Sequence, residues 1–250
     1  MTESLLVEWG AHDVLTLTIN RPARRNAVDP EVLGALAEAL TSEGERAGAV
    51  ILRGSGDEAF SAGYDLSRLT GTESDLDADR FIGEAVKAMR ECPAPLIARL
   101  TGHCHGAGVE LALSCDLRVG TPTVRMSVPA VGLGVVYRYE FVSRLVLMAG
   151  LSRAASLLLG MRELDVETAD AWGIFTDLCE VEELDSRVNG LAEKLATSPR
   201  TAVLGTKASL NLLVARQVNA DDLGSAQRLR SAAAASPERK EALDRRRKKK

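Results

Sequence analysis

The chemistry of this chain is concentrated in Thr101-Gly102-His103-Cys104-His105-Gly106-Ala107-Gly108-Val109-Glu110. The run follows an apolar segment, 95–100, that predicts a strand, and it opens an apolar stretch that predicts a short helix from Ala107. A strand that ends in glycines and turns into a helix leaves backbone N–H groups unpaired at the positive end of a dipole. Such a place favours an anion or a developing oxyanion. Glu110 stands one turn inside it, between Val109, Leu111, Ala112 and Leu113. A desolvated carboxylate beside unpaired N–H donors fits enolate or acyl-transfer chemistry.

A second segment, Phe60-Ser61-Ala62-Gly63-Tyr64-Asp65-Leu66, follows a short apolar strand predicted at 49–53 (AVILR). Its backbone emerges at a strand-end edge, where sites commonly lie. The small pair Ala62-Gly63 permits close approach by a ligand, and Gly63 can adopt positive φ. Asp65 reads as a turn or cap residue. The sequence His103-Cys104-His105 is no metal motif: His12 is the one other histidine, and Cys92, Cys104, Cys115 and Cys179 form no CxxC pair.

The elements that must position these residues follow from periodicity and turn chemistry. Strands are predicted at 4–9 and 14–20, and Asp29-Pro30-Glu31 starts a helix through about Leu40. A loop is expected over 54–60, and a mobile, acidic surface loop over 71–79 ahead of a helix at 80–91. After the glycine-rich turn come strands at 117–120 and 124–128 and helices at 137–149, 152–159 and 166–172. A short strand near 176–180 precedes a helical remainder from Val181 to about Leu243. Residues 1–197 read as the core, and 198–250 as a helical region whose apolar faces must pack on the core or on other subunits. The terminal run Arg245-Arg246-Arg247-Lys248-Lys249-Lys250 reads as a solvated, disordered tail.

The bulk composition fits a soluble globular enzyme: 250 residues, 46% hydrophobic and 26% charged, with a net charge of −4 that gives no hint of nucleic-acid binding. No apolar run is long enough to span a membrane, and the acidic N-terminus is not a signal peptide. A cytoplasmic protein is expected.

Taken together, NRPARRNAV (20–28), the Ala62-Gly63-Tyr64 turn, CPAPLIARLTGHCHGAGVELALSCDLRVG (92–120), SVPAVGLGVVY (127–137) and SRLVLMAG (143–150) resemble the crotonase (enoyl-CoA hydratase/isomerase) superfamily over essentially the whole chain. The resemblance implies an α/β fold, a spiral of ββα repeats followed by helices that build a homo-oligomer, a trimer or hexamer. It implies an acyl-CoA thioester as substrate, with coenzyme A part of that substrate and no permanently bound cofactor. The matching oxyanion-hole donors are the N–H groups of Tyr64 and Ala107. Ala23 and Arg24 match positions along the CoA nucleotide and pantetheine, with Ala62, Gly63, Asp65 and Leu66 on the same tunnel. The alternative for Arg24 is an ordinary surface arginine in a polar turn.

Glu110 matches the first of the two glutamates that hydratases of this family use. The second would follow Pro129, where Ala130 stands, a departure that puts two-glutamate hydration in question. Glu140 is a candidate substitute. Tyr137 offers another route: LGVVY (133–137) resembles a stretch of methylmalonyl-CoA decarboxylases in the same superfamily, in which a tyrosine here and a glutamate at the position of Glu110 face the acyl group. Three readings stay open: hydration or isomerisation of an enoyl-CoA with Glu110, decarboxylation of a malonyl- or methylmalonyl-type thioester with Glu110 and Tyr137, and acyl-CoA binding without turnover.

Overall fold

The computed structural model describes residues 3–216 and 218–248, without the side chains of Asp77 and Ala78. Its organising unit is a pair of strands followed by a helix. The first is β1 (Leu5–Trp9), β2 (Val14–Ile19) and α1 (Pro30–Glu43). The second is β3 (Ala49–Gly54), β4 (Ala59–Ser61) and α2 (Asp75–Glu91), and the third is β5 (Leu96–Leu100), β6 (His103–His105) and α3 (Ala107–Ser114). The fourth is β7 (Leu117–Gly120) and β8 (Arg125–Ser127), continued by α4 (Tyr139–Ala149) and α5 (Leu151–Leu158).

Equivalent strands of successive units stack, which generates two sheets. One has the order β1-β2-β3-β5-β7 and then β10 (Asp177–Leu178); the other has β4-β6-β8 and then β9 (Leu164–Asp165). From β2 onward the larger sheet is parallel, as is β4-β6-β8. Parallel strands covered on both faces read as continuous apolar runs. Hence all five residues of β5 are buried, including Arg99, which reaches Asp185 (2.5 Å) and Asp57 (2.9 Å). The fold is the expected α/β spiral of ββα units.

The first helix shows how local sequence fixes an element. Asp29 accepts a hydrogen bond from the Val32 N–H (3.1 Å), Pro30 supplies a helical φ where no donor is needed, and Val32, Leu33, Leu36 and Leu40 form one buried stripe. That stripe enters the main core together with α2 and the apolar α3. A smaller core lies on the other face of the large sheet, under α7 (Leu184–Ala196). α6 (Val166–Ala171) precedes it, and α8 (Arg200–Ala215), α9 (Ala220–Ala234) and α10 (Pro237–Arg247) complete the chain. No helix among the described residues is long and apolar enough to cross a membrane.

The structure corrects several sequence expectations. The segment 71–79 is not simply a loop, because α2 begins at Asp75. The Asp75 carboxylate there accepts from the Thr70 N–H (2.7 Å), the Thr70 hydroxyl (2.8 Å) and the Gly71 N–H (2.9 Å), which ties the preceding turn to the helix. The expected loop over 54–60 contains the start of β4. A strand, β6, intervenes between β5 and the Gly106 turn, so Gly106 joins β6, not β5, to α3. The basic end is exposed, as expected, but helical rather than disordered as far as it is described. Arg245, Arg246 and Arg247 form the last turn of α10, which buries Ala242 and Leu243 and pairs Arg239 with Asp75 (2.7 Å). Lys249 and Lys250 lie outside the described residues.

Candidate active site

The two turns singled out by sequence meet at the ends of the small sheet. Val28 N–H donates to Gly63 O (2.9 Å) and Asp65 N–H to Val28 O (2.8 Å), a bridge that holds residue 64 in place without using its own N–H. Gly63 has φ +89°; a Cβ there would lie 2.6 Å from the His105 carbonyl oxygen and 3.4 Å from the Ala107 nitrogen. Only a residue without a side chain lets the strands approach this closely. Gly106 takes φ +53° and ψ −117° while its N–H donates to Ser127 O (2.8 Å), and Ala107 then opens α3. Among the described residues neither the Tyr64 N–H nor the Ala107 N–H has an acceptor. Two unpaired backbone donors stand together, one of them at a helix start.

Glu110, on the first turn of α3, is only 2% exposed. Burial pushes its carboxyl above the usual range, Asp79 adds to the rise, and the guanidinium of Arg138 opposes it. Arg138 donates through Nε (3.1 Å) and approaches through Nη2 (3.0 Å), both to Oε1 of Glu110. Beside this pair, Asp79 of α2 is bound by Arg230 of α9, whose Nε also donates to Val136 O (3.3 Å). Tyr137 packs tilted on Phe141, with ring centroids 4.8 Å apart. Its hydroxyl lies 3.3 Å from where a Cβ on Gly106 would stand. Burial, Glu110 and Asp79 push the Tyr137 phenol well above its ordinary value, so it stays a neutral donor. Tyr64 is likewise pushed up to about 12, by burial and by Asp29, Asp79 and Asp75.

Tyr64, Asp79, Ala107, Glu110, Tyr137 and Arg138 line one cavity of about 1400 Å³. Ala23, Arg24, Ala62, Gly63, Asp65 and Leu66 line it too, as do Ala130 and the α10 residues Arg245 and Arg246. Asp65 is a cap and an anchor: it accepts from the Ser67 N–H (3.1 Å) and hydroxyl (2.7 Å), from Arg21 (3.0 Å) and from Arg24 (3.4 Å). Burial pushes its carboxyl up, but those hydrogen bonds and the Arg24 charge hold it below the ordinary value. Arg24 keeps 57% of its side chain exposed while its Nη1 approaches Asp65. Glu140 does not line this cavity; it sits with Tyr139 and Arg80 in an adjoining groove that shares Asp79, Arg138 and Arg230 with it. His105 bridges Ser127 (2.9 Å) and His103 (3.2 Å). No group of three or more His, Cys, Asp or Glu among the described residues could hold a metal ion.

Residues 10–250 match the family model for enoyl-CoA hydratase/isomerase. The chain belongs to that family. A probable enoyl-CoA hydratase of Rhizobium meliloti is 32% identical over 84% of this chain and 81% of its own. A short-chain-enoyl-CoA hydratase of Clostridium acetobutylicum is 29% identical over 79% and 77%. Among solved structures, a methylmalonyl-CoA decarboxylase in complex with 2-nitronate-propionyl-CoA superposes with a TM-score of 0.91 at 25% identity, covering 100% of this chain and 97% of that one.

Within this family member, sequence reasoning missed Arg138, Asp79, Arg230 and the α10 arginines. Arg138 follows Tyr137 at the start of a helix, where a lone arginine reads as a surface residue. Nothing local in the sequence points it at a carboxylate 28 positions earlier. Asp79 fell in the stretch expected to be a loop, and the α10 arginines in the stretch expected to be disordered.

Proposed function

We propose that this enoyl-CoA hydratase/isomerase-family enzyme binds an acyl-CoA thioester with its carbonyl oxygen between the N–H groups of Tyr64 and Ala107. There the negative charge of an enolate is stabilised, and Glu110 moves the proton in hydration or isomerisation of an enoyl-CoA. The observation that carries this reading is the pair of unsatisfied backbone donors beside a buried carboxylate in one cavity. Each pre-aimed donor is worth about 3 kcal/mol of barrier in a site that excludes water. Oxygen charge develops only as the α-carbon loses a proton, a nucleophile adds or a carboxylate leaves, so these donors favour the transition state over the bound substrate. Arg24, Arg245 and Arg246 at the cavity mouth suit the phosphates of CoA. The exposed Leu210, Leu212 and Leu213 of α8 support burial against further copies, as a trimer or hexamer requires.

A second reading, decarboxylation of a malonyl- or methylmalonyl-type thioester, is favoured by one specific arrangement. Ala130 provides no second acid, while the neutral Tyr137 hydroxyl stands over Gly106, where it can orient a substrate carboxylate or protonate the α-carbon. Decarboxylation needs no attacking water. Two assays separate the readings: hydration of crotonyl-CoA followed by loss of absorbance, and release of CO₂ from methylmalonyl-CoA. Turnover of crotonyl-CoA supports the first reading and CO₂ release the second. Tight binding of both thioesters with turnover of neither would overturn both in favour of a binding protein.

A further inference from the structure

Arg138 has no part in the chemistry described so far, yet its guanidinium is 13% exposed and touches the buried carboxylate of Glu110. Both of its contacting nitrogens, Nε and Nη2, address the same oxygen, Oε1. Among the described residues Oε2 receives no hydrogen bond. A carboxylate gripped at one oxygen has its plane and rotamer fixed, with the other oxygen turned outward, which is the arrangement a proton-transferring group needs. The third nitrogen, Nη1, lies over Gly83 of α2. A Cβ at Gly83 would overlap Nη1 and meet no other residue within 4 Å. A glycine inside a helix weakens it relative to alanine, so this one makes room at a cost.

From this geometry we propose that Arg138 is a positioning residue. It holds Glu110 through Oε1, sets its positive charge against that carboxylate in the buried pocket and leaves Oε2 to the substrate, in the space that Gly83 keeps clear. The inference rests on the reading of Glu110 as the acid–base group. The other charged or titratable groups facing Glu110 are Asp79 of α2, Glu140 and Arg144 of α4, and Tyr137; Arg230 of α9 is already engaged by Asp79. Asp79 and Glu140 oppose ionisation of Glu110, and Arg138 is the cation in direct contact with it.

The test has an arm that needs no turnover. Infrared difference spectra of wild type against Glu110→Gln isolate the Glu110 carboxyl band, and its pH titration is read directly. With Arg138→Gln the midpoint is expected to rise by about one pH unit or more, the ordinary effect of removing an adjacent opposite charge. Arg138→Lys should recover part of that rise. Gly83→Ala should keep the fold and move the midpoint in the same direction, and in an Arg138→Gln background it should move it no further. The acid limb of kcat/KM should follow the spectroscopic midpoint. A midpoint unmoved by Arg138→Gln would overturn the proposal, as would a Gly83→Ala shift of undiminished size in the Arg138→Gln background. If Glu110→Gln itself leaves turnover within about threefold of wild type, the acid–base reading fails, while the infrared midpoint still decides what Arg138 does.

Discussion

Replacing Gly63 with alanine perturbs the oxyanion site at one donor and by a calculable amount. The added methyl would stand 2.6 Å from the His105 carbonyl oxygen, a backbone atom held within the β4-β6-β8 sheet. The shortest ordinary carbon–oxygen contacts are about 3.3 Å, so the two backbones must part by roughly 0.7 Å. Moved that far, a hydrogen bond of about 2.9 Å from the Tyr64 N–H becomes one of about 3.6 Å, which is no longer a hydrogen bond. Loss of one oxyanion donor costs about 2.7–4 kcal/mol, or roughly 100- to 1000-fold in turnover. The residue also sits at φ +89°, and an L side chain there adds strain on the order of 1–3 kcal/mol. For a domain of this size that lowers the melting temperature by about 2–4 °C per kcal/mol. The assay pairs steady-state kinetics on the turned-over thioester with calorimetric binding of butyryl-CoA and a thermal melt. Turnover should collapse while binding of the unreactive thioester changes little. A folded Gly63→Ala variant that turns over within about threefold of wild type would refute the assignment of Tyr64 as a donor.

Other parts of the site make separate demands. Glu110→Gln should lower turnover by about a hundredfold or more with a folded protein, checked by kinetics on whichever thioester proves to be the substrate. Joint replacement of Arg245 and Arg246 by alanine should weaken binding of a CoA thioester by about fivefold and reduce its salt dependence, while leaving kcat and the binding of a pantetheine thioester lacking the nucleotide unchanged. Asp75 gives a pH prediction. Burial pushes its carboxyl up, but hydrogen bonds from Thr70, Arg239 and Gly71 outweigh that and hold it below its ordinary 3.8. Because the folded value is the lower one, the stabilisation is present above 3.8 and is lost as pH falls through the folded value. Protection of α10 amides, measured against their intrinsic exchange rate at each pH, should therefore fall on acidification below about pH 4, and Asp75→Asn should remove that dependence.

Much of the site was legible because glycine reports backbone geometry directly. Gly63 was singled out for close approach and positive φ and Gly106 as part of the glycine-rich turn, and both have positive φ at the place where the two backbones meet. Asp29-Pro30 marked the start of α1 because a cap and a proline are local signals. What escaped was non-local or too short to show a period. β4 and β6 have three residues each and β9 two, which no alternation can announce. The polar segment after Gly71 looked like a loop because its hydroxyl and acidic residues show no apolar period, while Asp75 is buried and acts through hydrogen bonds to residues before it. The α10 arginines hid a buried stripe, Arg239, Ala242 and Leu243, inside a sequence dominated by charge. The Arg138–Glu110 contact depends on how the residues before α4 fold back over α3, which no spacing within the chain encodes.

The central claim concerns the thioester carbonyl, and its stretching frequency reports on it most directly. In butyryl-CoA labelled with ¹³C at the carbonyl, the infrared band of the bound thioester can be separated from the protein by isotope difference. Two fixed donors at Tyr64 and Ala107 predict a band at lower frequency than the same thioester shows in water. A band at the aqueous frequency, or above it, would contradict an oxyanion hole at this site.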